Sequence, residues 1–245
     1  MVEHLFDAVG EQLAPHLVDP RALTRHTIPV DEALAPLFPD GGLVRGTSVA
    51  LGASPATGGA TSLALAVAAA SSRAGSWVAV VGVADLGLAA LEHCGMDRGH
   101  VLVVPRLPSA VWARALAVLV AGVDVVVLGP PPGGPPGRST SGIVPPRTGR
   151  RLATAVRERG SVLLTAGWEV PGFDPSVRLE VVAEHWEGLG EGHGHLSSRR
   201  VEVTRTGRAA AARPLRHTLL LPDADGAVRA GEPHATVLSW PGSVR

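Results

Sequence analysis

The chain has 245 residues, and its 22 acidic residues are balanced by 22 basic ones, all of them arginine. Lysine is absent, which excludes Schiff-base chemistry, a desolvated amine nucleophile and the lysine that reaches the phosphates from a nucleotide-binding loop. Neutral net charge argues against a general electrostatic nucleic-acid binder, the single Cys94 excludes a disulfide framework and a thiolate zinc site, and 45% hydrophobic content with 3% aromatics implies one large aliphatic core.

Residues 1–40 carry seven acidic side chains against Arg21 and Arg25, a balance of −5. Leu5, Val9, Leu13 and Leu17 recur at helical spacing, so an amphipathic helix is expected over 2–17, either docking on a partner or packing on its own core. The start lacks the basic and apolar runs of a signal peptide. A second short helix is expected over 30–37, between Pro29 and Pro39.

Strand and helix patterns then alternate. Strands are expected at 47–51, 77–81, 101–104, 124–128 and 161–165. Helices are expected at 60–73, 86–93, 110–121 and 150–159. The most apolar stretch, 111–128, is interrupted by Arg114 and Asp124, so no membrane span is expected and the cytoplasm is the default location. Residues 129–149 hold six glycines and seven prolines, which reads as a long loop. Continuous apolar strands separated by helices imply an α/β fold, a mostly parallel sheet covered on both faces. After Gly167 the pattern changes: 177–186, 196–206 and 217–221 alternate and read as antiparallel strands added at the C-terminal edge. The chain thus divides into an N-terminal helical segment (1–40), a core (41–222) and a flexible tail (223–245).

The stretch TSVALGASPATGGATSLAL, 47–65, has the layout of a phosphate-binding loop: strand, Gly-rich turn, then Thr-Ser opening an apolar helix. Gly52, Gly58, Gly59, Thr61 and Ser62 are its nucleotide-binding residues in vestigial form. Ala60 stands where the lysine would be, and the spacing from Gly52 to Gly59 is too long by two. The loop is therefore either a nucleotide site or a relic kept for strand-to-helix packing. The strand at 124–128 ends in Gly129, where a magnesium-holding aspartate would stand, and Asp124 at its other end reads as a turn or capping residue. Asp85 lies near a water-activating position, beside Ala84.

His185, His193 and His195 beside Glu184, Glu187 and Glu191 read either as a metal site or as a solvated Gly-rich hairpin, 188–194. Residues 196–217 carry Arg199, Arg200, Arg205, Arg208, Arg213 and Arg216 against Glu202, a balance of +5. They read as a DNA or acidic-partner surface, or as a solvated edge offsetting the acidic N-terminus. Val201 and Val203 face one way, and Arg200, Glu202 and Thr204 the other. Trp186 and Trp240 are candidate interface anchors, and Cys94 a buried small residue.

Taken in order, these segments resemble RecA. PVDEALAPLFPDGGLVRGTSVALG is similar to the entry into its first core strand, and TSLALAVAAA to its phosphate-loop helix. VAVVGVADLGLAALEHCGMDRGHVLVVPRL is similar to the stretch bearing its catalytic glutamate, with Ala84 in that place, and RRVEVTRTGR to a late basic strand. Within the superfamily, LFPDGGLVRGTSVA, GVDVVVLGPP and HWEGLGEGHGHLSSRRVEVTRTGR resemble the actinobacterial ImuA′-type accessory proteins. That resemblance implies a RecA-like core and a non-enzymatic, cytoplasmic, nucleoid-associated role without cofactor. It also implies partnership with an ImuB-like Y-family polymerase homologue and an error-prone C-family polymerase in damage-induced translesion synthesis. The segment 167–176, where RecA's second DNA loop would lie, is short and has no arginine, and 129–149 offers only Arg138 and Arg147. Two rivals stand beside this reading: direct DNA binding through Arg199–Arg216, and a divergent ATPase with arginine in place of lysine. Arg45 and Arg73 are not positioned for the latter, which requires a guanidinium inside the 52–61 loop.

Overall fold

The computed structural model describes residues 26–54, 56–83, 86–131, 144–189 and 194–232. The helix expected at 2–17, most of the Pro/Gly loop, Ala84, Asp85, His193 and Trp240 lie outside them. Strands β1 (Thr27–Pro29) and β2 (Gly42–Val44) form a small antiparallel ribbon. The residues between them make a turn and a 3-10 turn at Ala35–Leu37, in place of the helix expected over 30–37. Pro36 removes an amide donor from the middle of that turn, and the segment closes instead with the i to i+3 bonds of a 3-10 turn.

The main elements match the alternation of the sequence. They are β3 (Ser48–Ala53), α1 (Ala60–Arg73), β4 (Val78–Val81), α2 (Leu88–His93), β5 (Val101–Val104), α3 (Ser109–Gly122), β6 (Val125–Leu128), α4 (Pro146–Arg159) and β7 (Val162–Ala166). Three longer or later strands, β8 (Val177–Leu189), β9 (Gly194–Gly207) and β10 (Leu215–Leu220), precede a short β11 (Arg229–Ala230). One nine-stranded sheet has the order β11-β10-β9-β8-β3-β7-β6-β4-β5. Pairs from β8 through β3 to β5 are parallel, and those among β8, β9, β10 and β11 are antiparallel. The strand at 177–189 therefore differs from expectation: it is parallel to β3 and turns the sheet antiparallel only on its far side. Its length lets it pair β3 with its first half and extend beyond it as a hairpin with β9.

Two apolar layers cover the sheet unequally. On one face, α1 and α2 pack over Val49, Leu51, Val80, Val127, Leu164, Leu179, Val201 and Leu219. On the other, α3 and α4 pack only over the β4, β6 and β7 region, where Val81, Val126, Leu128 and Leu163 meet Leu116, Leu152 and Val156. Strands β4, β6 and β7 are buried at every position, as strands with two covered faces must be. Across β3, β8, β9 and β10 no described helix covers the second face, and Ala50, Glu180, Thr204 and Arg216 there are half-buried or exposed. This explains the alternation after Gly167, and within the parallel part it confines the expected cover on both faces to the β4, β6 and β7 region. The second layer is also not purely aliphatic: Trp112 and Trp168 meet edge-on at 6.0 Å, and Trp168 Nε1–H donates to the Leu128 carbonyl at 3.1 Å.

The first residues of the expected tail close the sheet. The buried Asp223 carboxylate accepts the amides of Asp225 at 2.9 Å and Ala227 at 2.8 Å and pairs with Arg229, which β11 contributes. Burial pushes the Asp223 carboxyl up, but the Ala227 and Asp225 amides and the Arg229 charge outweigh it and hold it below the ordinary 3.8. A depressed carboxyl stabilises the fold above its unfolded pKa, and that contribution is lost as pH falls through the folded value. Acid should therefore open the 223–230 turn: the Ala227 amide, protected from hydrogen exchange above pH 3.8, loses protection progressively below it. Equal protection of that amide on both sides of the transition would show that the carboxylate does not hold the turn.

Candidate functional site

The Gly-rich turn lies at the centre of the sheet, at the C-terminal end of β3, where open α/β sheets place their ligands. Gly52 is within β3, so the turn proper runs from Ser54 to Gly59. It is stitched to β8: the Ser54 amide and the Thr57 hydroxyl both donate to the Val181 carbonyl, each at 2.9 Å. Gly58 (φ +69°) and Gly59 (φ +96°) are both left-handed, which explains the glycine pair before the helix. Gly59 caps α1 without a side-chain acceptor, and Thr61 and Ser62 are half-buried in the first helical turn.

An arginine enters this loop, from β9 rather than from its own segment. The Arg199 side chain is 6% exposed, and its Nη2 donates to the carbonyls of Gly58 at 3.2 Å and Thr57 at 3.4 Å. A Cβ added to Gly59 would lie 2.5 Å from Arg199 Nη1. The guanidinium is pinned by the Glu184 carboxylate, which takes Nε–H at 2.7 Å and also pairs with Nη2. The Trp186 ring lies 5.5 Å from the guanidinium carbon, a cation–π contact. The positive charge therefore stands at the loop but is already compensated: one carboxylate, two carbonyls and an aromatic face occupy it.

A β-bulge builds this pair. Val181 lies opposite Val203, but Ala183 lies opposite Glu202, so Val182 is an extra residue on β8. The shift reverses the parity of the residues beyond it. Glu184 opposite Val201 and Trp186 opposite Arg199 thereby turn to the α1 face, where strict alternation would have pointed them away. Arg199 and Arg205 share parity with Val201 and Val203, and this signal was available in the sequence: every second residue of β9 faces the core.

The remaining arginines of the expected basic surface are mostly engaged internally. Arg200 pairs with Glu187 at 3.1 Å, Arg208 with Asp174 at 2.6 Å and Arg216 with Glu202 at 2.7 Å. Arg205 is buried and donates to the Arg213 carbonyl at 2.8 Å. Only the exposed Arg213 has a side chain without a described partner.

Among the described residues, the other nucleotide-site positions offer no carboxylate, and Asp85 lies outside them. At Gly129 a Cβ would lie 2.7 Å from the Gly82 carbonyl oxygen, so a side chain there has no room. Asp124 faces away from the site: it accepts Arg45 Nη2 at 2.8 Å and the Trp77 amide at 3.0 Å, with both ion-pair side chains 10% exposed. His185 is exposed on β8; His193 and the side chain of His195 lie outside the described residues. Burial pushes the Cys94 thiol up, away from thiolate chemistry. No helix among the described residues is long and apolar enough to cross a membrane.

A model of the MT3502 N-terminal domain family matches residues 36–172. The match includes the Gly-rich turn and β2 to β7 but ends before β8 and β9, which carry Glu184 and Arg199. An uncharacterized protein of Mycobacterium tuberculosis, Rv3395c, is 30% identical over 155 residues, 61% of this chain and 71% of the relative.

Proposed function

From the premise that the chain belongs to the MT3502 N-terminal domain family, we propose that it is a non-catalytic, RecA-like accessory factor in DNA repair. It would act by protein–protein contact in a translesion-synthesis assembly with an ImuB-like Y-family polymerase homologue and an error-prone C-family polymerase. The observation that carries the non-catalytic reading is the Arg199–Glu184 pair at the Gly-rich turn. Charge at such a loop recruits phosphate when it is free to meet an anion, and here a carboxylate of the same chain already does so. The absence of room for a carboxylate at position 129 supports the same reading. A strand, Gly-rich turn and helix at the sheet centre, with parallel strands on both sides, supports the RecA-like assignment.

A second reading has one observation in its favour. A guanidinium does stand inside the loop, as an ATPase with arginine in place of lysine requires, and phosphate would then have to displace Glu184 from Arg199. Equilibrium binding and turnover of radiolabelled ATP with magnesium separate the two. The accessory reading expects neither turnover nor micromolar affinity, and either one would overturn it. The partner role is tested by affinity purification of the full chain from DNA-damaged cells, with mass spectrometry of what is retained. Recovery without either polymerase partner would remove that assignment.

A further inference from the structure

Among the described residues, the strongest uncompensated positive charge lies elsewhere than the band expected from the sequence. Helix α4 carries Arg147, Arg150, Arg151, Arg157 and Arg159 against Glu158, a balance of +4. Its inner residues Gly149, Leu152 and Val156 fix which side packs on the core, leaving the arginines exposed. Arg150, Thr154 and Arg157 succeed each other at i, i+4 and i+7, one stripe of a helix. That stripe forms one wall of an open cleft of about 620 Å³. The turn before β3, with Arg45, forms the floor, and the 172–176 segment, with Phe173 and Arg208, forms the opposite wall.

The charges in the cleft are unequal. Arg208 is matched by Asp174 and Arg45 by Asp124, whereas Arg150 and Arg157 have no partner among the described residues. Arg45 adds a fixed positive end to the cleft. Its side chain is nine-tenths buried at the floor of the cleft, where its Nη2 meets Asp124 and its Nη1 meets the Gly160 carbonyl, while its Nε has no acceptor.

We propose that this cleft binds the phosphodiester backbone of a single-stranded nucleic acid. Arginine suits the phosphate oxygens, and from Arg147 to Arg157 the helix rises about 15 Å, long enough to track consecutive phosphates rather than hold one. Hydroxyls of Thr154 and Ser176 line the same cleft, as does the half-buried Phe173, an aromatic face on which a base can stack. A volume of about 620 Å³ is room for nucleotides. It opens from the N-terminal end of β3, away from the Gly-rich turn, so this activity is independent of whether the turn holds ATP.

The test is fluorescence anisotropy of a labelled oligothymidylate with the full chain, across a salt series. The wild type should bind at low salt and lose affinity steeply as salt rises. The variant R150A/R157A should bind at least about tenfold more weakly and show a salt slope lower by about two, one for each phosphate contact removed. Both side chains are exposed, and an unchanged thermal melt will confirm that the variant is folded. R98A, whose arginine lies on the turn before β5, should bind like the wild type. The inference is overturned if the wild type does not bind, or if R150A/R157A binds equally well. It is also overturned if polyglutamate competes as effectively as the oligonucleotide, which would make the cleft an acidic-protein site. Equal affinity for duplex DNA, or saturation by free nucleotide at the same concentration of phosphate groups, would likewise overturn it.

Discussion

Replacing Arg199 with alanine is expected to lower the melting temperature by roughly 5–15 °C, the consequence of losing about 2–4 kcal/mol in a chain of this size. The substitution removes a side chain that is 6% exposed and leaves its partner Glu184, 25% exposed, without a counter-charge. A fully buried pair would cost more to break, so the exposure of Glu184 sets the effect below the upper end of that class. The carbonyls of Thr57 and Gly58 lose their donor, and Trp186 loses the cation on its ring. Arg199→Lys keeps the charge but not the fork that spans Glu184 and the loop carbonyls, so its loss should be intermediate. Glu184→Gln should weaken the fold while freeing the guanidinium. If ATP binding appeared in that variant alone, the carboxylate would be identified as the group that excludes phosphate. Thermal melts of the three variants decide the matter. An Arg199→Ala protein that melts with the wild type would mean that the guanidinium contributes nothing to the loop.

Asp124→Ala should be at least as damaging, about 3–5 kcal/mol, for a related reason in a different place. Asp124 and Arg45 join the start of β6 to the turn before β3, and Arg45 Nη1 also reaches the Gly160 carbonyl at 3.2 Å at the end of α4. Truncating the aspartate leaves a nine-tenths buried guanidinium unpaired and takes away the acceptor of the Trp77 amide. Asp124→Asn still offers an oxygen to that amide but removes the charge, so it should recover only part of the loss. The double variant Arg45→Met/Asp124→Leu removes both charges together and should be more stable than Asp124→Ala alone, because no buried ion is stranded. Denaturant midpoints measure all three. If the double variant were the least stable, the pair would be stabilising in its own right and the stranded-charge account would fail.

Much of the parallel half of the sheet was legible from runs of valine and leucine. Helix α1 matches its expected bounds at both ends, because the Gly58–Gly59 pair and Gly75 flank an unbroken apolar stretch. Helix α4 begins four residues before the expected start. Its first turn, from Pro146, is hidden inside a Pro/Gly run, although proline is compatible with the first turn of a helix. Strands β1 and β2 have three residues each, too few for a period to show. The Gly-rich turn could be placed, but not what fills it. The parity of β9 marks Arg199 as inward, yet the inward turn of Glu184 depends on a bulge that no local sequence signal announces. The arginines of α4 were in plain view. A net charge of zero over the whole chain concealed them, because the acidic residues that balance them lie elsewhere.

The bulge at Val182 gives the β8–β9 hairpin something like a reading frame with a period of two. A substitution within 183–187 changes one side chain and leaves the frame intact. Were Val182 absorbed into regular pairing, with no bulge, Glu184 and Trp186 would turn to the bare side of the sheet and His185 would come to the side where Arg199 lies, whereas deleting Val182 would leave their facing unchanged. The occupant of the Gly-rich turn is thus specified by how the extra residue is absorbed as much as by the residue identities. A relative with both Arg199 and Glu184, but one residue shorter between Val181 and Glu184, would form this pair by plain alternation, without a bulge.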